Sequence, residues 1–323
     1  MARSWRDVRS RLLSPSRSEV SFAKRGFPLG EPEAVRRLEN SAAHFVMGFE
    51  EAMAAKNVAD AGRRLERLDR PFRGFAYEGA AMALTILDAV SPAGRGRVAA
   101  FLAGPAEAHE YMAIVGNGWA LARLPKWRWR ATLPAHPLLR WLALDGYGFH
   151  EAFFHTERYV TRREPWRAPA QWPGSAAYAA RAFDQGVGRA LWFVCSADVE
   201  RLSRTVLGFP PGRQADLWAG AGLAATYAGG GEPDKLELLR LRAGQDVLAL
   251  SQGAAFAAKA RLRAGLSTSD TETATRAICG TSAERAAAVT DEALAGLPPD
   301  GDLPAFEHWR VRIQRGLANE QEH

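Results

Sequence analysis

A short phrase recurs along this chain. A glycine, one or two small residues and an apolar pair follow one another inside stretches whose apolar spacing is otherwise helical. The copies are Gly79-Ala-Ala-Met-Ala-Leu, Gly116-Asn-Gly-Trp-Ala-Leu, Gly146-Tyr-Gly-Phe-His-Glu, Gly186-Val-Gly-Arg-Ala-Leu, Gly220-Ala-Gly-Leu-Ala-Ala and Gly253-Ala-Ala-Phe-Ala-Ala. Their leading glycines are 37, 30, 40, 34 and 33 residues apart. Glycine inside a helix costs about 1 kcal/mol relative to alanine. Its return is close approach of a neighbouring backbone or a ligand. Such spacing suits a helical hairpin repeated along a solenoid or a closed ring. Trp218, Gly222 and Tyr227 followed by Gly-Gly also resemble a tetratricopeptide helix. The competing explanation is that an Ala/Gly-rich helical chain echoes itself by chance. The expected class is all-α, built of packed helical hairpins, with a tetratricopeptide-like repeat as one form.

Helix starts and stops agree with this. After Gly30-Glu31-Pro32, Val35, Leu38, Ala42, Phe45, Phe49 and Met53 recur every three or four residues. Arg70-Pro71 breaks the chain, and a second helix is expected from Gly74 to Asp88, ended by Ser91-Pro92. A short helix near 95–103, a Gly104-Pro105 break and a helix over 106–124 follow. Beyond Trp192, helices are expected near 198–207, 213–228, 233–242, 245–263, 270–279 and 282–295, with a short one from Phe306 to Arg315. Between Glu164 and Gly174, Pro165, Trp166, Pro169, Trp172 and Pro173 make a stiff loop, long enough for a lid or cover.

Charge is unevenly placed. Residues 1–26 carry seven basic groups against Asp7 and Glu19, which is +5 of the total +6. The expected division is a basic arm, 1–26, and a single helical domain, 27–323. The arm spaces Trp5, Val8 and Leu12 helically between arginines, so it reads as a solvated tail or as a dock for an anionic membrane or an acidic partner. The body has no basic face interleaved with aromatics, so no nucleic-acid partner is expected. No apolar run is long enough to span a membrane, and the basic start lacks the apolar core of a secretory signal. Cys195 and Cys279 read as reduced core residues. These points place the chain in the cytoplasm, with peripheral membrane contact open to the arm.

Chemistry concentrates between Asp145 and Phe193. Glu151 and His155 lie one helical turn apart, and His150, His109 and Glu110 add donors for a metal, although the spacing departs from the two-histidine zincin motif. Glu78, Asp145, His150 and Asp184 sit among apolar and small residues, where burial would suit a carboxyl to proton transfer near neutrality. The alternative for them is internal ion pairing. Asp184-Gln-Gly-Val-Gly-Arg189 lacks the preceding strand and third glycine of a dinucleotide fingerprint. These residues leave the cofactor, and any metal, unknown. Ten tryptophans and fifteen phenylalanines are enough to line a groove for a long apolar molecule, or simply to fill a core.

Several long phrases carry a family resemblance. They are Val20-Ser-Phe-Ala-Lys-Arg-Gly-Phe27, Phe72-Arg-Gly-Phe-Ala-Tyr-Glu-Gly-Ala-Ala-Met82, Val115-Gly-Asn-Gly-Trp-Ala-Leu-Ala-Arg-Leu-Pro125, Pro137-Leu-Leu-Arg-Trp-Leu-Ala-Leu-Asp-Gly-Tyr-Gly-Phe-His150, Ala180-Arg-Ala-Phe-Asp-Gln-Gly-Val-Gly-Arg-Ala-Leu-Trp192 and Leu217-Trp-Ala-Gly-Ala-Gly-Leu-Ala-Ala-Thr-Tyr-Ala-Gly-Gly230. Across most of its length the chain resembles the UnbL-like family, a domain of unknown function found in bacterial enediyne biosynthetic clusters. The resemblance implies a cytoplasmic partner of an iterative polyketide synthase. In those clusters the family travels with a membrane protein and a propeller-like protein, and together they are implicated in turning a linear polyene into the enediyne core. It supplies no catalytic residues. The expectation is therefore a protein that binds and helps convert a polyene or other long apolar molecule, with Glu78, Asp145, His150, Asp184, Gln185 and Arg189 as site residues. The alternative is a non-catalytic helical-repeat scaffold docking the synthase and membrane partners.

Overall fold

A computed structural model describes residues 16–91, 96–170 and 172–321. Every regular element among them is helical. The helix starts obey local chemistry. Proline occupies the first turn at Pro32, Pro211 and Pro233, where its missing N–H costs nothing. Asn57, Ser175, Asp198, Thr268 and Ser282 each accept a hydrogen bond from a first-turn backbone N–H.

We number the main helices α1 (Pro32–Ala54), α2 (Val58–Leu65), α3 (Arg73–Val90), α4 (Arg97–Leu102), α5 (Glu110–Leu121), α6 (Trp141–Phe154), α7 (Ala176–Val194), α8 (Val199–Leu207), α9 (Pro211–Ala228), α10 (Pro233–Ala243), α11 (Val247–Arg263), α12 (Ser269–Cys279), α13 (Ala283–Glu292) and α14 (Ala305–Gln321). The sequence α1, α3, α5, α6, α7, α9, α11, α13 forms an inner row in which each helix packs on the next. Shorter elements connect them on the outside: α2, α4, a turn at Lys126–Thr132, a π-turn at Glu157–Thr161 with its following loop, α8, α10 and α12. Helices α3, α5 and α6 are buried on nearly all sides, which explains why their sequences are apolar around most of the circumference.

The glycine phrases are the seams of this row. A Cβ on Gly116 would collide with the carbonyl oxygen of Glu78, the residue before the previous phrase's leading glycine. The same offset holds for Gly146 on Val115, Gly186 on Asp145, Gly220 on Gln185 and Gly253 on Ala219. In the four phrases that have a second glycine, it meets the following helix: Gly118 on Ala143, Gly148 on Phe183, Gly188 on Leu217 and Gly222 on Leu250. Backbone thus lies on backbone at one contact register along five successive seams. The outer connectors have no such regularity, since they range from an eleven-residue helix to a non-helical loop.

The row curls until early members meet late ones. Arg37 Nε of α1 donates to the Ala228 carbonyl at 2.8 Å, and Arg261 of α11 donates to the Pro71 carbonyl at 2.9 Å. Arg263 pairs with Glu110 at 2.7 Å. Helices α6, α7, α9 and α11 run the same way. Their starts touch through Trp141–Tyr178 and Arg181–Asp216, and their ends through Phe149–Phe193, Trp192–Gly229 and Arg261–Tyr227.

Three expectations need correction. The packed body begins before residue 27, because Val20 and Phe22 are core residues and the Phe22 N–H donates to Glu39 at 2.8 Å. Three short-range apolar positions among charges gave too little periodicity to reveal this. Met1–Pro15, the rest of the arm, lies outside the described residues. Helix α2 was not anticipated, and α14 runs to Gln321, well past Arg315. The Trp/Pro loop is a fixed cover. Trp166 stacks on Phe183 at 5.0 Å, Trp172 packs on Trp141 at 5.6 Å, and both indoles are buried. No helix among the described residues is long and apolar enough to cross a membrane.

Candidate functional site

The seam register places the residue before each leading glycine at an equivalent point in the core. These residues are Glu78, Val115, Asp145, Gln185, Ala219 and Gln252, so four of the six are polar. All four are buried. A polar row therefore crosses the centre of the molecule, and buried polar groups demand partners.

At one end Arg189 of α7 lies between two carboxylates. Its Nε is 2.7 Å from Asp145 Oδ1, and its Nη2 is 3.8 Å from Glu78 Oε1. Trp119 Nε1 donates to Glu78 Oε1 at 2.9 Å, and the guanidinium stands 5.1 Å over the Phe149 ring. The Arg189–Asp145 contact is close enough for an ion pair but off the angle of a hydrogen bond, leaving Asp145 Oδ1 and Arg189 Nε and Nη2 without one. With both carboxyls ionised the trio would bury a net negative charge, which is costly. Burial accordingly pushes Glu78 up to about 7, against the pull of Arg189 and the Trp119 N–H. It pushes Asp145 up to about 6, again against Arg189. Burial wins over attraction because one cation serves two anions.

Two narrow apolar slots meet at Arg189. The first runs between Val20, Ala42, Phe45, Phe75, Trp119 and Phe153, with Glu78 in its wall. The second runs between Tyr111, Met112, Val115, Leu142, Phe256 and Trp309. Their cavity volumes are small, about 40 and 30 Å³, so nearly all the space in each lies within a water radius of a wall. Arg189, Leu223 and Tyr227 line both. This shared waist is the one place where strong polar groups face both slots. Leu223 also borders a smaller crevice shared by Asp145, Gln185 and Gln252.

The other predicted residues lie elsewhere. Gln185 donates to Asp216 at 3.1 Å and belongs to a second cluster with Tyr178, Arg181, Gln252, Glu307 and Arg310. Asp184 receives Arg213 through both oxygens, at 2.8 and 2.6 Å, on the outer side of α7. This is the internal ion pairing that stood as the alternative to proton transfer for this residue. His150 pairs with Glu151 at 3.1 Å, stands edge-on to Trp119 at 5.5 Å, and is pushed down by burial. It lines neither slot. His109 is far from these in contact terms, stacked on Tyr77 at 3.7 Å. No group of three metal donors exists among the described residues, so Glu151 and His155 find no third ligand. Sequence reading missed Trp119, Leu223 and Tyr227, although all three lie inside or just beyond glycine phrases. It also missed Asp216, Glu307 and Arg310, whose signal was a lone charge on an otherwise apolar helix face.

A family model described as a protein of unknown function, DUF1702, matches residues 4–317. No curated protein and no solved structure matches the chain. With the match spanning the whole inner row and its polar centre, the chain belongs to this family of proteins of unknown function.

Proposed function

We propose that this protein binds a long, unbranched, conjugated chain in the two slots and that Glu78 exchanges protons with it. The observation that carries the reading is the meeting of two slender, aromatic-walled slots at a buried charged waist. A slot with nearly all its space near a wall suits a flat chain and excludes a bulky one. Glu78, held near neutrality by burial, is tuned to give or take a proton at such a chain. Asp145 and Arg189 set the charge that keeps it there. Taken with the resemblance to the UnbL-like family, the ligand is a linear polyene from an iterative polyketide synthase, and the protein helps convert it into an enediyne core. A cytoplasmic setting, with the basic arm reaching a membrane partner, belongs to the same proposal.

The test is Leu223→Trp, which fills the waist from its most accessible wall. Titration with a linear all-trans tetraene, followed by quenching of tryptophan fluorescence, should give saturable binding to the wild type. Affinity should fall at least tenfold in the variant, the scale of losing one fully buried apolar contact region. Undiminished binding in a folded Leu223→Trp protein would remove the slots from consideration.

The scaffold reading draws on a different feature. An open groove between α1, α8 and α10 is lined by Glu31, Glu33, Glu200, Glu232 and Asp234, beside the exposed Leu29. Such a groove is suited to a basic partner segment. Charge reversal at Glu232 and Asp234 should then abolish capture of the synthase while leaving tetraene binding intact.

A further inference from the structure

The waist offers donors that a pure hydrocarbon cannot use. Tyr227 is 3% exposed and its hydroxyl has no hydrogen-bond partner. Arg189 is 5% exposed, and its Nε and Nη2 make no aligned hydrogen bond. Both side chains line both slots. The Tyr227 ring is fixed by an edge contact with Phe75 at 5.2 Å and by the Arg261 guanidinium at 4.3 Å, and its hydroxyl end lies against Gly74, where a Cβ would collide with it. A folded protein seldom leaves two buried donors idle at one place, because each lost its water on folding. The acceptors nearby do not resolve this. Glu78 already takes the Trp119 N–H, and Asp145 faces Arg189 off-angle.

We infer that the ligand is not a bare polyene but carries an oxygen, as a carbonyl or hydroxyl, part-way along its chain, and that Arg189 and Tyr227 bind that oxygen. The inference rests on the slot reading and adds a requirement to it. The oxygen sits where the slots join, so apolar chain extends from it in both directions. Arg189 supplies charged N–H donors, Tyr227 a neutral O–H, and Glu78 lies within reach of the same point through Arg189. A carbonyl held this way is polarised, which acidifies a saturated carbon joined to it directly or through conjugated double bonds; the Glu78 carboxylate takes that proton, and the electron pair passes to the oxygen held by Arg189 and Tyr227.

The experiment compares two probes of equal length on the wild type and on Tyr227→Phe: a linear all-trans tetraene hydrocarbon and the corresponding tetraene with a mid-chain ketone. The wild type should prefer the ketone by about tenfold, the scale of one hydrogen bond to a buried donor. Tyr227→Phe should lose most of that preference, read as the ratio of its affinities for the two probes. Ligand-free Tyr227→Phe should also melt above the wild type, since it removes an unpaired buried hydroxyl. Equal affinity of the wild type for both probes overturns the inference and leaves the slots standing. A preference retained by Tyr227→Phe, or a lower melting temperature in it, shows the hydroxyl held by the protein itself and also overturns it. Failure of both probes to bind removes the slot reading, and the inference goes with it.

Discussion

Helix α7 carries two buried charge clusters that differ in one respect. Near its start, Arg181 and the incoming Arg310 are matched to Asp216 and Glu307, with Tyr178, Gln185 and Gln252 filling the remaining positions. Arg310 donates at 2.8 Å to each of Gln252, Asp216 and Glu307, and Arg181 donates at 2.8 Å to Asp216 and Glu307. Charges balance and donors are satisfied. About two turns on, Arg189 serves Asp145 and Glu78 with poor alignment, unequal charge and apolar slots alongside. Both clusters are buried apart from the partly exposed Arg181, so burial alone does not distinguish structure from site. Completeness does. The first cluster bolts α14 across α7, α9 and α11. The second is left open at the waist, as a group reserved for a ligand would be.

Breaking the satisfied cluster should be the more damaging change. Asp216→Ala leaves Arg310 and Arg181 with Glu307 as their one shared carboxylate, and the expected loss is about 3–5 kcal/mol, measured by urea unfolding. If it costs no more than Asp145→Asn, the contrast between bolt and site collapses.

The open cluster should reveal itself through pH. Glu78 has a raised pKa in the folded chain, so its neutral form is the stabilised one. Its contribution is complete below the ordinary value of 4.5 and is lost as pH rises through about 7. Wild-type stability should therefore fall by on the order of 3 kcal/mol from about pH 5 to about pH 8. Glu78→Gln should flatten most of that slope, while Asp145 keeps a smaller one centred near 6. His109, pushed down to about 4 by burial, acts in the opposite sense and removes stability as pH falls below 6.5. A Glu78→Gln protein with the wild-type alkaline slope would place the shared proton elsewhere.

The smallest expected effect concerns the seam between the clusters. Gly186→Ala puts a Cβ against the Asp145 carbonyl and 2.7 Å from the Phe149 nitrogen, so α6 and α7 must part. Overpacking of this kind costs about 1–3 kcal/mol. Because Asp145 rides on the same seam, tetraene affinity should fall with stability, whereas Gly212→Ala meets no neighbouring atom and should leave binding alone. Equal effects at the two glycines would mean that the seam does not position the waist.

The amino-acid sequence by itself determined the helices and their seams. Proline starts, side-chain caps and apolar spacing act within a turn or two, so they are legible in one dimension, and they located α9 through α13 to within a few residues. The glycine phrases were legible for the same reason, since only close backbone contact repays a glycine inside a helix. Glu78, Asp145 and Arg189 could be singled out as charges in apolar helices, but so could Asp184 and His150, which do not join them. Tertiary structure alone decided which charges meet. Arg189 and Asp184 are five residues apart on one helix and face opposite sides of it, toward partners 111 and 29 residues away. The curl that brings α3, α6, α7 and α9 to one waist is a sum of small rotations at successive seams. Such a sum is set by packing across the whole row and by no local stretch of chain.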